Sequence, residues 1–178
     1  IHIDIKKLVN IDGPGHRVHG DRTQGKGKGA QYVHLAVDDH SRLAYSEIFP
    51  DETRKSCIQF LLNALRFYRR HGVKVERVMT DNGVSFRSHR YAKALRMLKI
   101  KHKRTRPYTP KTNGKAERFV QTSLREWAYA RTYAHSDDRQ KALPAFLHHY
   151  NYHRPHMGIH SKPPISRIPV NNLLQHDS

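Results

Sequence analysis

The chain has 178 residues, of which 33 are Lys or Arg and 15 are Asp or Glu, so its formal net charge is +18 and its pI is near 10.3. Hydrophobic residues make up 37% of it, too many for a disordered chain, and no apolar run approaches the roughly 20 residues of a membrane span. Cys57 is the only cysteine, which excludes an internal disulfide and a cysteine zinc cluster. We expect one soluble, intracellular domain. A bound polyanion would relieve the repulsion among its excess positive charges, and nucleic acid is the natural partner of this kind.

The first fifty residues predict three strands. Alternating apolar and polar residues over 1–9 are typical of a half-buried strand. Residues 12–30 are rich in Gly and basic residues and predict a loop, whose GKGKG segment lacks the Lys-Ser/Thr end of a phosphate-binding loop. Two further strands are predicted at 31–38 and 43–49, joined by a tight turn. These three strands should therefore form a meander.

The rest of the chain alternates helices with short strands. A helix capped by Asp51 or Thr53 is predicted to run to about Arg70, with Gly72 just past its end. The later predicted elements are a strand at 75–80, a helix opened by Ser85 or Ser88, a strand at 99–104, a long helix over 115–133 and a last helix near 138–152, where Pro144 marks a kink or the first turn. This order predicts an α/β protein with a five-stranded mixed sheet and helices on both faces, as in ribonuclease-H-like domains.

Three acidic residues occupy places that suit a metal-dependent site. Asp4 lies in the middle of the first strand, opposite its isoleucines, where it is either a surface residue or a ligand. Asp81 ends a buried strand and enters the turn Asp-Asn-Gly, at the sheet edge where α/β proteins bind ligands. Glu117 is the only acid among eight Lys and Arg between Lys99 and Arg118. Phosphodiester transfer with two metal ions needs carboxylates of this kind and no His or Cys nucleophile.

Two other groups of polar residues are weaker candidates. Asp38 and Asp39 lie at the turn between the second and third strands, where Asp commonly bonds the backbone, so we assign them a structural role. The histidines also invite a zinc hypothesis, but they lack cysteine partners or a helix-spaced pair backed by an acid. Stacking on DNA or surface solvation is favoured for His148, His149, His153 and His156.

Five ordered segments resemble the integrase-type catalytic core of bacterial insertion-sequence transposases, which is related to retroviral integrases. They are HIDIKKL around Asp4, VDDHSR at 37–42, TDNGVSF at 80–86, RPYTPKTNGKAERF at 106–119 and YNYHRPH at 150–156. Asp81 and Glu117 are separated by 35 residues, which is the spacing of the family's acidic triad. The resemblance covers essentially the whole chain.

The resemblance implies a ribonuclease-H-like fold and a catalytic metal site of Asp4, Asp81 and Glu117 that binds Mg²⁺ or Mn²⁺. It implies hydrolysis at an element's end to free a 3′-hydroxyl, followed by attack of that hydroxyl on target DNA. A homodimer or higher oligomer would hold two transposon ends, in the bacterial cytoplasm near the nucleoid, with no membrane and no small-molecule substrate involved. DNA contacts are predicted for Lys111, Asn113, Lys115, Arg118, Arg125 and Arg154.

The sequence departs from the family in two places. Many integrase relatives carry Lys or Arg seven residues after the glutamate, where this chain has Leu124 with Arg125 next to it. No helix-turn-helix precedes Asp4, so we expect a fragment that lacks the end-recognition domain. It would consist of a catalytic core at 1–152 and a Pro-rich basic tail at 153–178.

Two other functions stay open. A nuclease of the same fold would only hydrolyse, for example RNA in a hybrid, and joining with a DNA 3′-hydroxyl would separate it from a transposase. A non-catalytic DNA-binding domain would be expected to have lost acids of the triad, all three of which are present. The sequence therefore favours a metal-dependent transposase core.

Overall fold

A computed structural model describes residues 1–11, 29–105 and 114–169 of the chain. Within these ranges lies a five-stranded sheet of order β3-β2-β1-β4-β5. In chain order the strands are β1 (His2–Val9), β2 (Ala30–Val37), β3 (Ala44–Phe49), β4 (Arg77–Thr80) and β5 (Lys101–Arg104). The first three strands pair antiparallel, whereas β4 and β5 extend the sheet parallel to β1. The predicted meander and mixed sheet are confirmed.

Helices cover both faces of this sheet. In chain order they are α1 (Arg54–Arg70), α2 (Val84–Arg87), α3 (His89–Met97), α4 (Gly114–Ser123) and α5 (Ser136–Tyr152). A π turn at Leu124–Ala128 continues α4, and 3₁₀ turns lie at Met157–Ile159 and Pro164–Arg167. Thr53 caps α1 and Ser88 caps α3, each through a side-chain oxygen that accepts a backbone N–H. Among the described residues, no helix is both long enough and apolar enough to cross a membrane.

The first hydrophobic cluster lies between the sheet and the helices α1 and α3. Ile3 of β1, Phe60 of α1 and Tyr91 of α3 are completely buried in it. The ring of Phe60 stacks on Tyr45 of β3, with ring centroids 5.8 Å apart. Ile168, in the predicted tail, is 5% exposed and also packs here. The chain beyond residue 152 therefore contributes to this core, while the predicted domain boundary stays a prediction.

The second hydrophobic cluster lies on the opposite face, under α4 and α5. Leu8 of β1 and Leu35 of β2 meet Phe119 of α4 and Phe146 of α5 there. Because side chains alternate along a strand, Ile3 and Ile5 of β1 face the first cluster, whereas Leu8 faces the second. Asp4 shares its face with Leu8, so it points toward the side that α4 covers.

The prediction of one long helix over 115–133 is wrong in its second half. α-Helical hydrogen bonding ends at Ser123, and the N–H of Tyr129 donates to the carbonyl of Leu124, five residues back. This wider π turn rotates Trp127 into the second cluster, where it is 2% exposed. The helix propensities of these residues do not predict the π turn, because the turn depends on the tertiary packing of Trp127.

The last helix begins at Ser136, two residues before its predicted start. Pro144 lies inside this helix, so its interpretation as the first turn is wrong. The ring of Pro144 is exposed, and the buried Leu143 and Phe146 on the opposite side hold the helix against the second cluster. Packing thus overrides the disruption that an internal proline causes.

Candidate functional site

Asp4 lies in the middle of β1 on the face of the second cluster. It pairs with Leu35 of β2, and its Oδ1 accepts the N–H of Ile5 at 2.8 Å. Burial raises the pKa of Asp4 to about 6; the bond from Ile5 opposes this rise, and repulsion from Asp81 and Glu117 adds to it. Both of these acids therefore lie within electrostatic range of the half-buried Asp4.

The parallel register of β1 and β4 places Asp81 beside Asp4. His2 pairs with Met79, so the same register two residues further on sets Asp4 next to Asp81, just past the end of β4. Asp81 is exposed, and its Oδ1 accepts the N–H of Gly83 at 2.9 Å. A Cβ on residue 83 would lie 3.0 Å from that same oxygen. Glycine at this position therefore leaves room for the carboxylate.

Hydrogen bonds fasten the turn after β4 to the adjacent strand β5. The side-chain amide of Asn82 donates to the carbonyl of Thr105 at 2.9 Å, and the N–H of Thr105 donates to the carbonyl of Thr80 at 3.0 Å. The hydroxyl of Thr80 lies 2.9 Å from Nε2 of His102 on β5. The turn that carries Asp81 is thus held at both of its ends.

Glu117 reaches the site from the first turn of α4. Its neighbours Ala116 and Phe119 are both 1% exposed and pack against β1 and β2, whereas Glu117 itself is exposed. Helical periodicity explains the difference, because residues one and two positions away point to other faces. The packing of α4 over the sheet therefore sets the position of the Glu117 carboxylate.

The β2–β3 turn links β1 to α4. Oδ2 of Asp38 accepts the N–H of Ser41 at 2.7 Å, which confirms its predicted structural role. Asp39 forms an ion pair with Lys115, and its Oδ1 lies 3.2 Å from Nε2 of His2. The hydrogen bond from Lys115 holds the pKa of Asp39 below its usual value. Sequence reasoning missed this contact, because the two residues lie 76 positions apart.

Four of the predicted DNA-contacting residues line one groove between α4 and the end of α5. The groove has a volume of about 570 Å³, and its walls also include Arg42 and Tyr150. The four are Lys115, Arg118, Arg125 and Arg154. Lys111 and Asn113 lie outside the described residues, so their roles stay predictions.

Glu126 of the π turn neutralises one end of this groove. It accepts hydrogen bonds from Nε of Arg154 at 2.7 Å and from a terminal nitrogen of the same guanidinium at 2.9 Å. Arg125 donates a further bond at 2.9 Å. The hydrogen bond from Arg154 lowers the pKa of Glu126 to about 2. Arg154 is therefore held by a carboxylate, whereas Arg118 has no ion pair within the described residues.

The histidines near the end of α5 form close pairs. Nε2 of His148 lies 3.1 Å from Nε2 of His153, and the ring of His148 stacks on Tyr152. Within residues 1–11, 29–105 and 114–169, no three or more His, Cys, Asp or Glu side chains close around a point that would hold a metal ion. The described structure therefore does not gather Asp4, Asp81 and Glu117 into a closed metal-binding cluster, and their role as one site stays a prediction.

The sheet order and the helices on both faces define a ribonuclease-H-like domain, and similar solved structures share it. The HTLV-2 integrase catalytic core, solved with magnesium, aligns over 93% of this chain and 92% of its own, with a TM-score of 0.57 and 18% identity. A simian T-cell lymphotropic virus intasome chain aligns over 95% of this chain and 54% of its own, with a TM-score of 0.70 and 21% identity. The predicted fold is confirmed.

Sequence profiles of the integrase core domain match residues 12–110 and residues 98–164. The chain belongs to the integrase core domain family, a transposase and integrase catalytic domain. A putative integrase of Spiroplasma virus SpV1-C74 is 23% identical over 157 residues, which cover 81% of this chain and 43% of that protein. The putative transposase InsD for insertion element IS2E of Escherichia coli is 31% identical over 86 residues, covering 48% of this chain and 39% of that protein. The chain thus spans less than half the length of these relatives.

Proposed function

We propose that this chain is the catalytic core of a DNA transposase, in which Asp4, Asp81 and Glu117 act together on phosphodiesters. The observation that supports the proposal is that Asp81 and Glu117 both lie within electrostatic range of Asp4. Asp4 and Asp81 adjoin in the parallel register of β1 and β4. Burial is the main cause that raises the pKa of Asp4 to about 6, and repulsion from Asp81 and Glu117 adds to the rise. Crowded like charges of this kind favour a bound dication, because the cation removes their repulsion.

The donor chemistry of the three carboxylates fits Mg²⁺ or Mn²⁺. Both are hard ions that prefer oxygen ligands, and Mg²⁺ keeps several positions for water and substrate phosphate, which suits an open arrangement. The HTLV-2 integrase core with magnesium supports the same choice. When bound, such ions activate the attacking oxygen and stabilise the leaving oxygen of the phosphodiester. Asp4, Asp81 and Glu117 would hold them.

Residues around the carboxylates have positioning roles in this proposal. Gly83 and Asn82 fix the turn that presents Asp81, and the packing of α4 fixes Glu117. Lys115 and Arg118, next to Glu117 in sequence, would contact the DNA backbone from the groove, as would Arg125 and Arg154 further along it and Lys111 and Asn113 before α4. Contacts to phosphate set the position of the DNA and do not read its sequence.

The reaction we propose has two steps on DNA. Water first cleaves the phosphodiester at a transposon end and frees a 3′-hydroxyl, and this hydroxyl then attacks a phosphodiester of target DNA. Two ends must meet for this reaction, so the active form would be an oligomer. Dimeric and trimeric forms of the HTLV-2 core support an oligomer.

A strand-transfer assay on labelled duplex DNA tests this proposal. With Mg²⁺ or Mn²⁺, the chain should produce joined products that are longer than the labelled strand. Shortened strands without joined products would indicate a nuclease of the same fold. Binding without any chemistry, both in this chain and in a version extended at its N-terminus, would contradict a catalytic core.

A further inference from the structure

The segment between Asp81 and Glu117 contains eleven Lys or Arg and no Asp or Glu. Nine of these cations are described: Lys115 belongs to α4 and the groove, and the other eight lie on α2, α3, β5 and the residues between them, where all eight are exposed. We call them the α3–β5 surface: Arg87, Arg90, Lys93, Arg96, Lys99, Lys101, Lys103 and Arg104.

These cations differ from Lys115, Arg125 and Arg154 of the groove, because none of them has a counter-ion among the described residues. In the groove, Asp39 pairs with Lys115, and Glu126 pairs with Arg125 and Arg154. No cation of the α3–β5 surface forms an ion pair with any residue that the structure describes. Since no described residue offsets their mutual repulsion, solvent ions or an external polyanion would relieve it.

Protection of a sheet edge explains only part of this surface. β5 is an edge strand, and exposed lysines such as Lys101 and Lys103 discourage pairing with another strand. Arg90, Lys93 and Arg96 lie on α3, where no strand edge needs protection. A favourable interaction with the helix dipole accounts for Arg96 in the last turn and for neither of the others. A ligand with many negative charges accounts for all of them.

The α3–β5 surface reaches the candidate site from the side opposite the groove. Arg104 pairs with Thr80 in the β4–β5 register, so it lies next to the residue that precedes Asp81. The groove includes Lys115, two residues before Glu117, on α4, and this helix packs on β1 and β2. The carboxylates thus lie between two basic regions that belong to different elements.

We propose that the α3–β5 surface binds the phosphate backbone of a second DNA duplex, the target, while the groove holds the end that is cut. The inference rests on the proposed function, because joining requires two duplexes at one set of carboxylates. Each cation that contacts a phosphate releases counter-ions, so affinity should fall steeply with salt and depend little on sequence.

Binding of a short labelled DNA duplex in metal-free buffer tests this surface without any chemistry. The test variant combines Lys93→Gln, Arg96→Gln, Lys101→Gln and Lys103→Gln. The matched control removes the same charge from exposed cations elsewhere, with Lys55→Gln, Arg69→Gln, Arg131→Gln and Lys141→Gln. Gln keeps helix propensity close to that of Lys and Arg. Thermal melts establish that both variants fold, and the pair Lys101→Gln and Lys103→Gln alone serves if the fourfold variant does not.

The test variant should bind DNA at least about tenfold more weakly, and its plot of log affinity against log salt should be shallower by about 0.9 for each phosphate that the substituted side chains no longer neutralise. The control should bind nearly as tightly as the parent and keep its slope. If both variants bind DNA equally more weakly than the parent, the loss of affinity reflects net charge alone, and the proposal is overturned. Competition by polyglutamate as strong as that by DNA would also overturn it, and would point to an acidic protein partner.

The ratio of joining to hydrolysis separates this inference from the proposed function. Hydrolysis of an end needs one duplex and joining needs two, so the test variant should lose more joining than hydrolysis. An equal reduction of both activities would contradict a target-binding role. If neither the unsubstituted chain nor its N-terminally extended version joins DNA, the proposed function fails, and the binding comparison still decides whether this surface holds DNA.

Discussion

The two faces of the sheet are packed alike but carry different side chains. On the face of α1 and α3, Ile3 belongs to the first hydrophobic cluster. On the face of α4 and α5, Leu8 and Phe119 pack equally tightly, but Asp4 from β1 and Glu117 from α4 lie on the same side. One strand can therefore contribute to the stability of the fold on one face and to the chemistry of a site on the other, because its successive side chains point to opposite faces of the sheet.

The largest predicted effect comes from substituting a matched pair of core residues, one on each face of the sheet. Phe60→Ala on the first face and Phe119→Ala on the second each remove a ring that is at most 1% exposed. Each should lower the free energy of unfolding by about 3–5 kcal/mol, measured by denaturant titration. Phe119→Ala should also reduce DNA cleavage per folded molecule by about tenfold or more, because α4 positions Glu117.

The pair provides its own control, since the stability losses should match and only the activities should differ. Cleavage must be measured below the melting temperature of both variants. If Phe60→Ala reduces cleavage per folded molecule as much as Phe119→Ala does, the division of roles between the faces is wrong.

A smaller effect is predicted for the turn that carries Asp81. Gly83→Ala places a methyl group 3.0 Å from Oδ1 of Asp81, so the carboxylate must move. Cleavage should fall about 10- to 100-fold, while the melting temperature should hardly change, because φ at residue 83 is −53° and suits alanine. Ala145→Ser, which also adds one heavy atom, lies at an exposed position of α5 outside the groove and is the matched control. Equal activity of the two variants would contradict the positioning role of Gly83.

The smallest predicted effect concerns pH and Asp4. Burial and two like charges raise its pKa to about 6 from the usual 3.8. The neutral carboxyl is therefore favoured in the folded state, and the parent chain should lose stability as pH rises from about 4 to above 6. Asp4→Asn lacks this loss, so in metal-free buffer it should be more stable than the parent at pH 7.5, by roughly 1–2 kcal/mol after allowance for solvent screening.

Melts at pH 4 and pH 7.5 check this prediction. The advantage of Asp4→Asn should nearly disappear at pH 4, where the folded-state carboxyl is almost fully neutral and no longer buries a charge. Added Mg²⁺ should stabilise the parent at pH 7.5 but not the variant. An advantage that is the same at both pH values would show that charge is not its cause.

The sequence predicted the sheet, the meander and the elements that carry the three acids well, because each depends on short-range patterns. Alternation in β1 placed Asp4 opposite Ile3, and the strand-turn pattern placed Asp81 at the end of β4. The π turn that brings Trp127 into the core escaped prediction, because it depends on contacts with α5.

The ion pairs of the site escaped prediction for the same reason. Glu126 lies 28 residues from Arg154, and Asp39 lies 76 residues from Lys115. Sequence alone therefore suggested that both cations were available to DNA, whereas the structure gives each a carboxylate partner. A feature that depends on two distant segments becomes visible only when the fold brings them together.

The most direct test of the central claim is a disintegration assay on branched DNA with Mn²⁺, comparing the chain with Asp81→Asn and Glu117→Gln. Asp137→Asn and Glu76→Gln make the same changes at exposed acids of other elements and serve as matched controls. If the carboxylates hold the catalytic metal, the first two variants should bind DNA as well as the parent or better and lose at least about a thousandfold in rate, or about 4 kcal/mol. The controls should keep the parent rate. Resolution of the branched DNA at the parent rate by folded Asp81→Asn or Glu117→Gln would contradict the account.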